Sequence, residues 1–154
     1  MRFSLQFLLV KITKSNHPSN PFLDNQNPDI IIIAYSPQRA VLYHSHASLF
    51  LIHSSGSSAN ENTYYGTPTL SIPPFLTYVS SSARLVTAGV GLSLTKHSFS
   101  AVEICQEIAI IVTDKDGGFS KDVKRSKGIA RIAAKKKEVA VDLIKQMIVD
   151  NEGR

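Results

Sequence analysis

Cysteine is nearly absent from this sequence, since Cys105 is the single one among 154 residues. A lone cysteine excludes a framework of intramolecular disulfides and fits a reducing compartment. Long apolar runs are also missing, because no stretch approaches the roughly 20 residues that a membrane-spanning helix needs. Internal repeats and low-complexity segments are absent as well. We therefore expect one globular domain without a membrane span.

The usual catalytic constellations are missing too. The sequence contains no Ser-His-Asp set, no cluster with metal-ligand spacing and no paired carboxylates. We accordingly predict no catalytic residue and no metal site. The net charge of +5 comes mainly from the segment 120–149. A solvated basic face accounts for this excess, so no nucleic-acid partner is predicted. A salt-sensitive polyanion binder is the remote alternative.

Short apolar runs alternate with short helical patterns along the chain. Ile30–Ile33 is a run of four β-branched residues and the strongest strand signal. Strands separated by short helices are typical of a parallel sheet. The segment 1–10 resembles a short signal peptide, but Gln6 interrupts its apolar part and no cleavage site follows before Lys14. We therefore interpret the apolar run 5–12 as a strand, with a secretory signal as the alternative. The predicted strands are 5–12, 30–33, 48–52, 69–73 and 90–94, and the predicted helices are 39–44, 58–65, 80–88, 100–113 and 120–149.

The same patterns predict two loops and the buried face of one helix. The segment 13–29 is rich in Asn, Pro and Ser and is predicted to be a loop, as is 74–78. On helix 100–113, the spacing of Val102, Cys105 and Ile108 predicts that Cys105 lies on a buried face.

The stretch after the third strand has the pattern of an anion site. The strand ends at His53, and the small residues 54–57 follow as a turn. Ser58 and Glu61 then form a capping-box pattern that opens a helix. A strand that leads through such a turn into a helix presents free backbone N–H groups, which suit phosphate. His53 would supply a further donor.

The segment 35–78 resembles the signature box of the family 1 UDP-glycosyltransferases. That box opens on Trp-x-x-Gln, has a His eighteen positions after the Trp, continues with Gly-Gly-Trp-Asn-Ser-x-x-Glu and closes on Asp-Gln. No gap is needed to align it, and 83–92 resembles the Ala-Arg-x-Val-x-x-x-Gly-Val-Gly-Leu segment that follows in the family. The resemblance covers roughly residues 5 to 148. The matching positions are Tyr35, Gln38, His53, Ser58, Glu61, Gly66 and Pro68, with Thr77 and Tyr78 at the closing pair.

The resemblance implies an α/β fold, a Rossmann-like parallel sheet with flanking helices. Members of the family have two such domains facing each other, the architecture called GT-B. The N-terminal domain holds the acceptor and a catalytic His, and the C-terminal domain holds the UDP-sugar. The family's Ser-Phe-Gly-Ser strand has no counterpart before Leu5. We therefore expect 1–154 to be a partial, N-terminally truncated UDP-sugar-binding domain with 120–149 as its C-terminal helix.

The implied function is that of a donor-binding domain. The ancestral reaction transfers a hexose from a UDP-sugar to an acceptor hydroxyl, with the UDP-sugar as substrate and no cofactor. No residue here supplies the base, so we do not expect catalysis by this chain alone. The alternatives are a non-catalytic nucleotide-binding or interaction module and a donor subunit that needs a separate acceptor-domain chain. An exposed apolar patch would favour that subunit. The expected location is cytoplasmic, or loosely membrane-associated through a partner.

Each implied UDP contact has a plainer structural alternative. Tyr35 would stack on the uracil ring, worth roughly 1–3 kcal/mol, or cap the core at a strand end. Gln38 would bond the uridine or be a solvated loop residue. His53 would approach the diphosphate, although a single His at a strand end is usually structural. The UDP-binding residues implied by the resemblance are Tyr35, Gln38, His53, Gly56, Ser57, Ser58 and Glu61.

The two residues of the capping-box pattern also have double roles. Ser58 would donate to a phosphate, cap the helix, or do both. Glu61 would bind the ribose hydroxyls, although a Glu at the third position of a capping box already has a backbone partner.

Two departures from the family pattern bear on the ligand. Ser54 and Ser55 replace two glycines, so a left-handed backbone there would carry a Cβ penalty. Thr77 and Tyr78 replace the Asp-Gln that reads the sugar hydroxyls, which removes a carboxylate acceptor. The sequence therefore supports nucleotide binding more strongly than sugar recognition.

Overall fold

The computed structural model describes residues 8–11, 30–33 and 36–152. The chain divides into two units, Met1–Val41 and Leu42–Arg154. In the first unit, strands β1 (Leu8–Lys11) and β2 (Ile30–Ile33) pair in parallel. Both coincide with predicted strands. The loop predicted for 13–29, and residues 5–7 and 12 of the first predicted strand, lie outside the described residues.

The second unit contains a three-stranded parallel sheet in the order β3-β4-β5. Each of its strands lies within a predicted one, so the expected parallel α/β arrangement is confirmed. A short helix at the junction of the two units, α1 (Gln38–Tyr43), also agrees with its prediction. The remaining elements are β3 (Phe50–Ile52), α2 (Gly56–Tyr65), β4 (Thr69–Ser71), α3 (Leu76–Thr87), β5 (Gly91–Ser93), α4 (Ala101–Thr113) and α5 (Gly118–Asn151).

The central strand β4 is buried along its whole length. Thr69, Leu70 and Ser71 are each 0% exposed. Asn62 of α2 donates a hydrogen bond to the Thr69 hydroxyl, and the hydroxyls of Ser71 and Ser82 of α3 lie 2.6 Å apart. Because buried polar groups need partners, these bonds hold both helices against the same face of the sheet. Leu70 points to the opposite face, since side chains alternate along a strand.

An apolar cluster completes the packing beside these bonds. Ile52 of β3, Leu85 of α3, Val90 and Val123 of α5 are buried together. The cluster joins both edges of the sheet to the first turns of α5. It therefore fixes where β3 ends and where the following turn begins.

Several helices begin or end at residues whose types favour helix termini. Gly66 ends α2 in a left-handed conformation with φ 74°. The predicted capping box at α4 is present, with Ser100 and Glu103 bonding each other's backbone N–H. Asp114 ends α4, and its carboxylate accepts hydrogen bonds from Ser120 in the first turn of α5. These bonds hold the pKa of Asp114 below its usual value.

Two sequence-based predictions about helices α3 and α4 are wrong. The segment 74–78 was expected to be a loop, but α3 begins at Leu76. The burial predicted for Cys105 is also wrong, because Cys105 is exposed. The buried face of α4 instead includes Ile111, with Ile104 and Ile108 half-buried. Because α4 is apolar on most sides, its periodicity does not single out one face.

Helix α5 extends beyond the packed part of the second unit. Residues 131–152 are all exposed. The apolar side chains in this part of the helix are therefore uncovered, with Ile132 66% and Met147 66% exposed. None of the helices in the described residues combines the length and the apolarity that crossing a membrane requires.

Candidate functional site

The candidate anion site lies at the carboxyl end of β3. Ile52 is the last, buried residue of the strand, and the next residue, His53, is exposed. Ser54 turns back into the protein and is 0% exposed. Ser55 is then the N-cap of α2. The strand thus leads through two residues into a helix N-terminus, as the sequence predicts in outline.

Ser54 carries the strain of this turn. Its φ is 63°, in the left-handed region, which costs a residue with a Cβ about 1–2 kcal/mol. Its buried hydroxyl has no hydrogen-bond partner among the described residues. Ser54 is one of the two positions where the resembled box has glycine, and glycine would adopt this conformation freely.

We expect Ser54→Gly to raise the free energy of unfolding by about 1–2 kcal/mol, because it removes both the left-handed strain and the unpartnered hydroxyl. Ser54→Ala keeps the Cβ and serves as the matched control, with a smaller gain. Thermal unfolding followed by circular dichroism measures both. A glycine variant no more stable than the alanine variant would show that the turn is not strained.

The N-terminus of α2 is capped by Ser55 and not by Ser58. The Ser55 hydroxyl accepts from the Ser58 N–H at 3.3 Å and donates to the Ser58 hydroxyl at 3.0 Å. The predicted capping box of Ser58 and Glu61 is therefore wrong, because the helix begins earlier, at Gly56. Glu61 lies in the second turn of α2.

The first N–H groups of α2 remain available for a ligand. Gly56 and Ser57 are the first two helical residues, and such N–H groups have no carbonyl one turn earlier to bind. Both residues are exposed. A Cβ added at Gly56 would meet no atom within 4 Å, so the space above this position is open. Together with the positive end of the helix dipole, this arrangement favours an anion.

A second helix N-terminus lies beside the first. Phe75 is the N-cap residue of α3 and makes no side-chain capping bond. Tyr78, in the first turn of α3, places its ring 5.3 Å from the ring of His53 at an interplanar angle of 61°. This edge-to-face contact places the first turn of α3 beside the exposed imidazole of His53.

The structure brings together most of the predicted site residues that it describes in the second unit. His53, Gly56, Ser57, Ser58 and Tyr78 gather at the carboxyl ends of β3 and β4. Glu61 is half-buried one turn along α2, and Thr77 is exposed beside Tyr78.

The two earlier members of the predicted site lie elsewhere in the chain. Gln38 is the first residue of α1 and belongs to the first unit. Tyr35 lies outside the described residues. Their proposed uridine contacts stay predictions.

Two residues of this region were missed from the sequence. The ring of Phe75 lies 6.1 Å from that of Tyr78, and Lys96 Nζ lies 5.1 Å from the centre of the Phe75 ring. Phe75 follows β4 and Lys96 follows β5. Their positions directly after β4 and β5 could have identified them from the sequence, because ligands of parallel sheets lie beyond the carboxyl ends of the strands.

No metal site accompanies this arrangement within the part of the chain that the structure describes. Groups of three or more His, Cys, Asp or Glu side chains placed to bind an ion were not found there. The chemistry that the described residues offer is therefore hydrogen-bond donation and helix-dipole stabilisation of an anion, with aromatic rings beside it.

The chain matches a known protein family over most of its length. The model of the family described as UDP-glucoronosyl and UDP-glucosyl transferase matches residues 6–124. UDP-glycosyltransferase 1 of Phaeomoniella chlamydospora is 40% identical over 141 residues, covering 91% of this chain and 29% of that protein. UDP-glycosyltransferase stmC of Aspergillus ustus is 36% identical over 143 residues, covering 93% of this chain and 27% of that protein. The chain thus spans less than a third of the length of either relative.

Solved structures agree on the fold. The glycosyltransferase of kitacinnamycin superposes with a TM-score of 0.78 at 18% identity, covering 94% of this chain and 36% of that chain. The forosaminyltransferase SpnP superposes with a TM-score of 0.63 at 17% identity, covering 87% of this chain and 34% of that one. At these identities the likeness shows the fold alone, a Rossmann-like part of a GT-B structure.

Proposed function

Because the chain belongs to the UDP-glucuronosyl and UDP-glucosyl transferase family, we propose that it is part of a donor-binding domain and holds the diphosphate of a UDP-sugar at the N-terminus of α2. The proposed domain is 1–154, and the reaction it serves is hexosyl transfer to an acceptor hydroxyl. The UDP-sugar is the substrate, and no separate cofactor is proposed. No described residue is assigned as the base.

The observation that carries the proposal is the junction between β3 and α2. An exposed imidazole, two helical N–H groups without backbone partners and two serine hydroxyls occupy a single turn at the carboxyl end of a parallel strand. Diphosphate is the ligand group that such N–H donors and a helix dipole favour. We assign the N–H groups of Gly56 and Ser57, the Ser58 hydroxyl and His53 to the diphosphate.

The remaining contacts extend from this turn along the nucleotide. Glu61 is proposed to accept hydrogen bonds from the ribose hydroxyls, since it lies one turn along α2 from Ser57. Tyr35 and Gln38 are proposed to hold the uracil ring, on the resemblance alone. Thr77 and Tyr78 are proposed to border the sugar at the start of α3.

Thermal unfolding of the purified chain tests the proposal directly. With about 1 mM UDP and a dissociation constant on the order of 10 μM, binding would add about 2.7 kcal/mol of stability. In a chain of this size, that gain raises Tm by roughly 5–10 °C. Uridine lacks the diphosphate and ADP carries a different base, so both should give much smaller shifts. A cooperative transition that UDP leaves unmoved would overturn the proposal.

Substitution of Gly56 then locates the site. We expect Gly56→Ala to leave Tm unchanged without ligand, because its Cβ meets no protein atom within 4 Å. The same Cβ would obstruct a phosphate that approaches the helix, and UDP affinity should fall about tenfold, equal to about 1.4 kcal/mol. Gly118→Ala is the matched control, since Gly118 is likewise the first residue of a helix with open space above it.

His53→Ala complements this pair of variants. It removes the imidazole donor while the backbone of the turn is kept, and we expect it to weaken UDP but not uridine. Equal binding of UDP to the Gly56→Ala and Gly118→Ala variants would exclude the N-terminus of α2 as the diphosphate site.

A second candidate is a donor subunit that works with a separate acceptor-domain chain. The exposed apolar side of α5 favours it, because contiguous apolar surface of this kind is typical of interaction sites. Its members include Ile132, Val139, Leu143, Ile144 and Met147, which are between 57% and 66% exposed. Co-purification with an acceptor domain of a relative, lost in Leu143→Lys, would support this candidate.

We propose that the protein is cytoplasmic, or loosely membrane-associated through a partner. The single cysteine, Cys105, is unpaired and exposed, which a reducing compartment tolerates.

A further inference from the structure

Residues 131–152 of α5 present apolar side chains that no described part of the chain covers. At about 1.5 Å per residue, this part of the helix is about 33 Å long. Most of its large apolar residues recur at intervals of three, four and seven, which places them on one side of the helix. We call this side the apolar stripe, and a stripe of this kind is typical of a surface that packs against another helix. Its members are Ile132, Val139, Leu143, Ile144 and Met147.

Two charged residues interrupt the apolar stripe at equal distances from Leu143. Lys136 lies seven positions before Leu143, and Asp150 lies seven positions after it. Seven residues are almost two turns of a helix, so the three side chains share one side. Both charged residues are exposed, and the two ion pairs found in the described part of α5 include neither of them. The stripe therefore carries a positive charge toward one end and a negative charge toward the other.

The other charges of this part of α5 follow the same division. Residues 131–137 contain four basic residues and no acidic one, whereas 138–152 contain four acidic residues and one lysine. A second copy running parallel would place like charges against each other, and an antiparallel copy places the basic end against the acidic end. Charges that flank the contact set the orientation of paired helices. The segment is thus complementary to its own reverse, as a two-fold symmetric interface requires.

We propose that the apolar stripe binds the same stripe of a second copy of this chain, with the two helices antiparallel and their two-fold axis beside Leu143. Lys136 of each copy then lies level with Asp150 of the other copy. The exposed segment 131–152 has its midpoint at residues 141–142, close to this axis, so the two copies overlap along its whole length. The turns of α5 that precede residue 131 lie outside the overlap. This inference goes beyond the proposed function and requires no nucleotide.

The size of the contact sets the expected affinity. Specific interfaces bury about 1,200–2,000 Å² in total, and two helices in contact over about 33 Å reach the lower end of that range. Burial of the stripe supplies the attraction. The exposed pairs of Lys136 and Asp150 select the orientation and add little affinity. We therefore expect a dimer dissociation constant on the order of 10 μM.

Sedimentation equilibrium of the full chain without nucleotide, at about 1–200 μM, tests the inference, because dimer formation depends on concentration. The mean mass should rise from 16.9 kDa toward twice that value as the concentration increases. Leu143→Lys should stay near 16.9 kDa, because it places two ammonium groups beside the two-fold axis. Val149→Lys is the matched control, since Val149 is also exposed but lies outside the stripe, and it should dimerise as the unchanged chain does.

Reversal of the two charges tests the orientation. Lys136→Glu should weaken the dimer about tenfold, because carboxylates then face each other at both ends of the pair. Asp150→Lys should have the same effect. The double variant restores both pairs with exchanged signs, and its dissociation constant should return to within about threefold of the original. Lys145→Glu is the matched control, since Lys145 lies nine positions from Lys136 and hence on the opposite side of the helix, and it should leave the dimer unchanged.

Failure to dimerise would overturn the inference. A chain that stays at 16.9 kDa at every concentration leaves the stripe to the separate acceptor-domain chain of the second candidate function. A dimer that Leu143→Lys does not weaken uses another surface and overturns the inference as well. A double charge variant that dimerises no better than Lys136→Glu overturns the antiparallel orientation. None of these measurements includes a nucleotide, so a failure of the proposed function would leave their results unchanged.

Discussion

Leu70→Ala should lower the free energy of unfolding by about 2–5 kcal/mol. Leu70 is 0% exposed in the middle of β4, the central strand of its sheet. Its register partners Leu51 and Leu92 flank it on the same face, so the lost side chain leaves a cavity that two strands would have to move to fill. Tm should fall by roughly 4–20 °C in a chain of this size.

The matched control for this variant is Leu76→Ala. Leu76 is 86% exposed at the start of α3, so the same change in chemistry should alter stability by less than about 0.5 kcal/mol. Urea unfolding at equal protein concentrations measures both variants. Similar losses in the two would contradict the placement of Leu70 in the core.

Gly91→Ala is expected to lower the free energy of unfolding at least as much as Leu70→Ala, by about 3 kcal/mol or more. Gly91 is paired with Thr69 across the β4–β5 ladder. A Cβ on Gly91 would lie 2.8 Å from the carbonyl carbon of Thr69 and closer still to its oxygen. Backbone atoms cannot turn aside as a flexible side chain can, and Thr69 is also held by Asn62. The two strands would therefore have to separate.

Gly128→Ala is expected to raise the free energy of unfolding, in contrast to Gly91→Ala. Gly128 lies inside α5, and a Cβ there would meet nothing within 4 Å. Alanine favours the helix over glycine by about 0.8–1.0 kcal/mol, so this variant should be stabilised. A Gly91→Ala protein that unfolds at the same temperature as Gly128→Ala would show that β4 and β5 are not in close contact.

The start of α3 differs from the sequence-based prediction. Thr77 and Tyr78 were expected in a loop, but they belong to the first turn of a helix. Tyr78 is thereby fixed against His53. Where the family pattern has Asp followed by Gln, this chain has Thr77 followed by a tyrosine whose ring contacts an imidazole, so that carboxylate acceptor is absent at these two positions.

Local signals were sufficient for much of the fold. The β-branched run Ile30–Ile33, the capping box of Ser100 and Glu103, and the glycine that ends α2 each act within a few residues. Their outcome depends on backbone sterics and short-range hydrogen bonds, which the sequence displays directly. These elements accordingly occur where they were predicted.

The start of α2 shows where local signals were insufficient. Ser54, Ser55, Ser57 and Ser58 all have hydroxyls that can cap a helix. Which serine becomes the cap depends on where β3 ends, and the packing of Ile52 into the core fixes that point. The sequence therefore predicted a capped helix in this turn but chose the wrong serine.

Residue types at short spacings were sufficient to predict the parallel α/β class, the family resemblance and the small-residue turn after β3. The exposure of Cys105, and the position of Lys96 over Phe75, 21 positions earlier in the chain, depend on tertiary packing. The apolar side of α5 was visible in the sequence, and its exposure was not. Burial and long-range contact depend on which elements pack together, and spacing along one element does not specify its neighbour.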